Sequence, residues 1–136
     1  MNPTVKNVLA VVAGFIAGSA VNMTIVSMSG SVIPLPEGVD PTDMESLKEN
    51  LHLFKPENFI FPWFAHALGT LAGAWLCCKI AASHHLKLAL GIGAFFMLGG
   101  IMNAFMLPSP VGFIILDVLL AYIPMAWLGY KWSGKG

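Results

Sequence analysis

The chain has 136 residues, of which 57% are hydrophobic and only 10% are charged. Soluble globular proteins carry roughly 25% charged residues, so this composition excludes an ordinary soluble domain. Seven lysines balance seven acidic residues and there is no arginine, which leaves no basic surface for a nucleic-acid partner. The composition therefore indicates that the main partner of this protein is the lipid bilayer.

Four apolar stretches are long enough to cross a membrane. About 20 mostly apolar residues span a hydrocarbon core about 30 Å thick. The four stretches cover residues 5–33, 59–82, 86–107 and 111–130. They are continuous, whereas membrane β-strands alternate between apolar and polar residues. We therefore predict an all-α integral membrane protein, a four-transmembrane-helix bundle that forms a single membrane domain over residues 1–136.

The charged residues between these stretches predict the orientation of the bundle, because lysine near the end of a span stays on the cytoplasmic side. Five of the seven lysines fall on one side: Lys6, Lys79, Lys87, Lys131 and Lys135. The other side carries six of the seven acids. We predict cytoplasmic N and C termini and a multi-pass protein of the plasma (inner) membrane. A cleaved signal peptide is the competing interpretation, but the first apolar run continues to Ile33.

The first outer loop, residues 34–58, contains a pattern typical of a short amphipathic helix. Thr42 and Glu45 have the spacing of a capping box at its start. Apolar residues then recur at helical steps: Met44, Leu47, Leu51 and Phe54. Such a helix is either a lid over a cavity that opens outward or an anchor in the membrane interface. The pattern favours the anchor, because methionines and aromatic residues at helical spacing usually mark buried surface.

Small residues at four-residue spacing predict close contact between helices. The first stretch has Ala10, Gly14 and Gly18, and the second has Ala65, Gly69 and Gly73. We expect a compact bundle from this pattern, together with a homo-oligomer.

Polar residues in all four stretches fall in one layer of the bundle. A rise of 1.5 Å per residue places Asn22 and Asn103 roughly 24 Å above the cytoplasmic lysines, and His66 and Asp117 about 20 Å above them. An aspartate at such a depth costs about 2.5–3.5 kcal/mol, which favours a buried partner, a bound proton or contact with water. We expect His66 to be that partner, with Thr70 on the same helical face as His66.

This layer has a functional and a structural interpretation. In the first, a small solute, proton or cation is bound or moved through an outward-facing pocket, with ligand- or proton-binding residues Asn22, His66, Thr70, Asn103 and Asp117. In the second, Asp117 accepts hydrogen bonds from His66, Asn22 and Asn103, and the network only fixes the packing. The protein would then be a non-catalytic accessory or assembly subunit of a membrane complex.

Catalysis and metal binding are less favoured by the sequence. His66 and Asp117 are the weak candidates for metal ligands, and two ligands are too few to define a metal site. No serine or cysteine is placed as a nucleophile, so we assign no catalytic residue, and an enzyme is the least favoured class. The sequence identifies no cofactor. We predict that Tyr122 lies on a different helical face from Asp117, where it packs or reaches another subunit.

Overall fold

The computed structural model describes residues 1–135, so only Gly136 lies outside the described range, and within that range it contains helices and no β-strand. Four helical stretches are long and apolar enough to cross a membrane: Pro3–Val32, Pro56–Ile80, His85–Met106 and Val111–Trp132. Large apolar side chains cover the outside, among them Phe105 at 88% exposure and Val111 at 71%. An apolar outer surface of this kind is suited to lipid. The all-helical class and the four predicted stretches are confirmed, and they indicate a membrane protein.

The helices differ in one respect from the predicted stretches. They are α1 (Pro3–Val32), α2 (Met44–Asn50), two single-turn 3₁₀ helices (Leu51–Leu53 and Pro56–Phe59), α3 (Ile60–Ile80), α4 (His85–Met106), α5 (Val111–Leu120) and α6 (Ile123–Trp132). The last stretch, predicted as one helix, is divided between Leu120 and Ile123. Pro124 accounts for the division, because proline lacks a backbone N–H and its ring collides with the preceding turn of a helix.

Helix α3 is the centre of the bundle and packs against α1, α4 and α6. Its contact with α1 is made by glycines that face each other. A Cβ atom added to Gly14 would lie 2.5 Å from the carbonyl oxygen of Gly73, and one added to Gly69 would lie 2.8 Å from that of Gly18. The two backbones therefore touch directly, as the spacing of small residues predicts.

Asn7, near the start of α1, holds the turn between α3 and α4. Its Oδ1 accepts hydrogen bonds from the backbone N–H groups of Ala82 at 2.8 Å and Ser83 at 3.2 Å. Its Nδ2 donates to Ser83 Oγ at 3.0 Å. The next residue, His84, has a left-handed backbone with φ 55°. One side chain thus fixes a turn that would otherwise leave backbone donors at the end of the bundle unpaired.

Asn7→Ala should lower the free energy of unfolding by about 1–2 kcal/mol, because three hydrogen bonds are lost together. Unfolding in mixed detergent micelles, followed by circular dichroism, measures the change. Asn7→Asp is the matched control, since it keeps the two accepted bonds and should be affected less. Equal stability of the alanine variant and the wild type would show that this connection adds nothing to the fold.

Candidate functional site

The segment between α1 and α3 is ordered by its own hydrogen bonds. Helix α2 begins at Asp43, whose side chain accepts from the backbone N–H of Glu45 at 3.1 Å. The predicted capping box of Thr42 and Glu45 is therefore wrong. Thr42 instead donates from its hydroxyl, at 2.6 Å, and from its backbone N–H to Asp40, and these bonds lower the pKa of Asp40 below its ordinary value.

Asn58 closes the base of this segment. Its Nδ2 donates to the carbonyl oxygen of Pro34 at 3.0 Å, and its Oδ1 accepts from the backbone N–H of Lys55 at 2.9 Å. Asn58 is buried, with 4% of its surface exposed. The segment is thereby held over the end of the bundle where α1 ends and α3 begins, which we call the loop end.

A cavity of about 240 Å³ lies beneath this segment, inside the loop end. Its upper wall includes the four apolar residues of the predicted amphipathic pattern: Met44, Leu47, Leu51 and Phe54. Polar residues from four different helices also line it: Asn22, His66, Asn103 and Asp117. The structure thus brings four of the five predicted site residues to one cavity and covers that cavity with the loop segment. We call it the polar chamber.

A buried carboxylate is the centre of this polar group. His66 Nδ1 lies 2.6 Å from Asp117 Oδ1, and the Tyr122 hydroxyl donates to Asp117 Oδ2 at 3.0 Å. The side chain of Asp117 is 5% exposed and that of His66 is 19% exposed. The rings of His66 and Tyr122 stack with centroids 5.8 Å apart. Both carboxylate oxygens therefore have a partner, and the imidazole is held in one orientation.

The prediction for Tyr122 is wrong. In a continuous helix Tyr122 would point away from Asp117, but the division between α5 and α6 turns its ring back toward the carboxylate. Gly100 on α4 provides the space, because a Cβ atom there would overlap the phenol of Tyr122. Tyr122 is accordingly 2% exposed. Pro124 was the signal in the sequence that could have revealed this, since it marks the division of the helix.

Asn22, Asn103 and Thr70 do not reach the carboxylate. Asn22 Oδ1 is buried and has no hydrogen-bond partner within residues 1–135. Asn103 lines the polar chamber, and over the same described range no side-chain hydrogen bond joins it to Asp117. Thr70 is 1% exposed and donates to the carbonyl oxygen of His66 at 2.8 Å. The network of two asparagines around Asp117, expected from the structural interpretation, is therefore not formed.

Two polar atoms of the site that lack a hydrogen-bond partner in the described part of the chain are acceptors. When the Nδ1–H of a neutral His66 donates to Asp117, its Nε2 is left as an acceptor. Over the described residues Nε2 has no protein partner, and Asn22 Oδ1 is also an unpaired acceptor. Together with the negative charge of Asp117, these atoms complement a ligand that donates hydrogen bonds or carries a positive charge.

The site has few of the groups that bind metals. Within residues 1–135, no three His, Cys, Asp or Glu side chains lie close enough together to hold a metal ion. His66 and Asp117 are one imidazole and one carboxylate, and Asp117 already accepts a hydrogen bond on each oxygen. The site therefore offers one imidazole and one carboxylate, fewer ligands than the three or four that protein zinc sites use.

Comparisons with protein-family models, curated proteins and solved structures give no match. The structure itself indicates a helical membrane protein with four stretches long and apolar enough to cross a membrane and with an internal polar cluster. What the protein does has to be inferred from the geometry and the chemistry of that cluster.

Proposed function

We propose that the protein binds or translocates a small solute, proton or cation through the polar chamber. The unpaired Asn22 Oδ1 beside the buried pair of His66 and Asp117 is the observation that carries this proposal. A buried acceptor without a partner destabilises a protein by about 1–3 kcal/mol. A bundle that needs only packing gains nothing from such an atom, whereas a ligand that donates a hydrogen bond satisfies it.

In this proposal, Asp117 carries the exchangeable charge, and His66 adjusts how strongly that charge attracts the ligand. His66 Nδ1 lies 2.6 Å from Asp117 Oδ1, so the hydrogen bond from the imidazole sets how strongly the carboxylate attracts a cation. Asn22 and Asn103 supply amide groups that contact the ligand without a change of charge.

We also propose that the loop end faces outward and that both termini are cytoplasmic in a plasma (inner) membrane protein. Lysines at the opposite end of the bundle support this orientation. Lys79 lies over the ring of Trp75 at 5.8 Å and Lys131 over that of Trp127 at 5.7 Å. Such pairs of lysine and tryptophan are typical of a membrane interface. The segment with α2 then acts as a lid, since its apolar residues line the chamber.

A second candidate function is an accessory or assembly subunit. An apolar groove of about 540 Å³ on the outside of α3 and α5 favours it. The groove is lined by aromatic residues that include Trp63, Phe64 and Phe113. The indole of Trp63 donates to the carbonyl oxygen of Leu116 at 3.2 Å, which fixes its ring. A partner protein or a second copy of the chain would bind along this face.

Asn22→Ala tests the first function against the second. The variant removes an unpaired acceptor, so we expect it to be as stable as the wild type or more stable without a ligand. Its melting point should nevertheless respond less to a protonated amine such as butylamine, which we expect to stabilise the wild type. A ligand at 100 times its Kd stabilises the folded state by about 2.7 kcal/mol.

The measurement is thermal unfolding in detergent between pH 5 and pH 8, with butylamine, sodium, potassium and neutral solutes added in turn. Glu49→Gln, which removes a charge on the exposed part of α2, is the control and should respond like the wild type. The proposal is overturned if no solute and no pH step shifts the wild type, or if Asn22→Ala responds fully. A loss of stability in Asn22→Ala without ligand would favour the accessory subunit.

A further inference from the structure

A second cavity reaches the same polar residues from the side of the bundle. It has a volume of about 440 Å³ and lies between α1 and α4. Asn22, His66 and Asn103 line both this groove and the polar chamber. Ser19, Thr70 and Tyr122 add further hydroxyl groups to its wall. The other lining residues are apolar or small and include Met23, Phe96, Gly99, Met102 and Met106. We call it the side groove.

The side groove exists because α1 and α4 separate toward the loop end. They meet at Phe15, whose ring lies 4.9 Å from that of Phe95 and 5.6 Å from that of Phe96. Beyond this contact, α4 has Gly99, where an added Cβ atom would meet nothing within 4 Å. On its other side α1 packs against α3 through the facing glycines, and no side chain at Gly99 fills the gap toward α4.

The groove opens onto the lipid-facing surface of the bundle. Met23 on one side is 51% exposed and Met102 on the other is 62% exposed. Methionine side chains are flexible and adapt to apolar chains of different shape. The inner wall, in contrast, includes Asn22, whose Oδ1 is buried and unpaired within residues 1–135, and His66. The groove is therefore apolar where it meets lipid and polar where it meets the core.

We propose that the ligand is an amphiphile with a single apolar chain and a protonated amine as its head group. The amine donates to Asn22 Oδ1 and to His66 and lies near the negative charge of Asp117. The chain occupies the side groove and leaves the bundle between α1 and α4. This inference rests on the proposed function. It adds the chemical class of the ligand and its route of entry, which leads sideways from the membrane through the side groove. An amphiphilic solute and an amine-bearing membrane lipid share this chemistry.

The test compares dodecylamine with butylamine, which have the same head group and different chains. Both are added to the protein in a non-ionic detergent, and the melting point is recorded against the concentration of each amine. We expect dodecylamine to stabilise the wild type at a concentration at least ten times lower than butylamine.

Two glycines of α4 provide a matched pair of variants. Gly99→Leu places a side chain in the side groove, and Gly91→Leu places the same side chain on the same helix outside it. Both glycines are exposed, and an added Cβ atom meets nothing within 4 Å at either position. In Gly99→Leu, dodecylamine should raise the melting point at no lower concentration than butylamine, while butylamine acts as it does on the wild type. In Gly91→Leu, both amines should act as they do on the wild type. Ser19→Leu, on the α1 wall, replaces Gly99→Leu if that variant does not fold.

The outcomes separate this inference from the proposed function. If butylamine stabilises the wild type and dodecylamine acts no better, or if Gly99→Leu keeps the advantage, the chain does not use the groove and only the inference fails. If neither amine has an effect but sodium, potassium, a neutral solute or a pH step shifts the melting point, only the inference fails. If none of them shifts it, both proposals fail. A third arm uses phosphatidylcholine nanodiscs with lysophosphatidylethanolamine, which has one acyl chain and a primary amine, or with lysophosphatidylcholine, which has no primary amine. Stabilisation by lysophosphatidylethanolamine alone that Gly99→Leu removes supports a membrane lipid, and a response to dodecylamine alone supports an amphiphilic solute.

Discussion

Gly14→Ala and Gly73→Ala should each lower the free energy of unfolding by about 1–3 kcal/mol, because the added methyl group has no space. Each Cβ atom would lie within 2.6 Å of a carbonyl oxygen on the facing helix. Backbone cannot rotate away as a side chain does, so α1 and α3 have to separate. Separation also weakens the neighbouring contact between Gly18 and Gly69, and the loss extends along the whole crossing.

Gly91→Ala is the control for this prediction. Its Cβ atom meets nothing within 4 Å, and alanine favours a helix over glycine by about 1 kcal/mol. The control should therefore be slightly more stable than the wild type, while the two crossing variants are less stable. Reversible unfolding in mixed micelles, followed by circular dichroism, gives the three values. If Gly14→Ala and Gly91→Ala have the same stability, the close crossing does not exist.

Asp117→Ala should lower the free energy of unfolding by roughly 2–5 kcal/mol, because it removes a buried carboxylate that accepts two hydrogen bonds. The variant leaves the Tyr122 hydroxyl without its acceptor and removes the group that orients His66. Tyr122→Phe removes only one donor and should lower the free energy of unfolding by about 1 kcal/mol. The same unfolding experiment measures both changes.

A double-mutant cycle identifies the contact itself. Because Tyr122 and Asp117 share a hydrogen bond of 3.0 Å, the double variant should be more stable than the sum of the single changes predicts. Residues in direct contact usually show a coupling of about 0.5–3 kcal/mol. Additive effects would mean that the side chains of Tyr122 and Asp117 do not interact, and Tyr122 would then not belong to the polar cluster.

The sequence predicts the fold and part of the site, and the reason lies in the regularity of helices. Hydropathy locates the four stretches, and the constant rise per residue puts His66 and Asp117 at the same depth. Both arguments assume an uninterrupted helix. They fail at Tyr122, because the division before Ile123 changes the direction in which the residue points.

The sequence does not predict the cavities, and the reason differs from the one that applies to Tyr122. A gap between α1 and α4 depends on how closely each helix approaches its other neighbours, and this distance is set by three-dimensional packing. The spacing of Gly14 and Gly18 predicts a close contact but not that α3 is the partner. Likewise, the apolar face of the loop helix predicts burial, and only the structure shows that this face lines a chamber with polar residues.

The division of the last stretch leaves its two halves, α5 and α6, packed to different degrees against the rest of the bundle. Helix α6 packs closely on α3 and α4, with Gly129 against the backbone of Leu71, whereas α5 has fewer neighbours. Pro124 has no N–H to offer the carbonyl group of Leu120, so the helical hydrogen bonding is interrupted between them. The half near the lysine-rich end is therefore the more closely packed of the two. Asp117 belongs to the other half, so the carboxylate of the chamber lies on the part of the last stretch that has fewer helix neighbours and is tied to α3 by the side chains of His66 and Trp63.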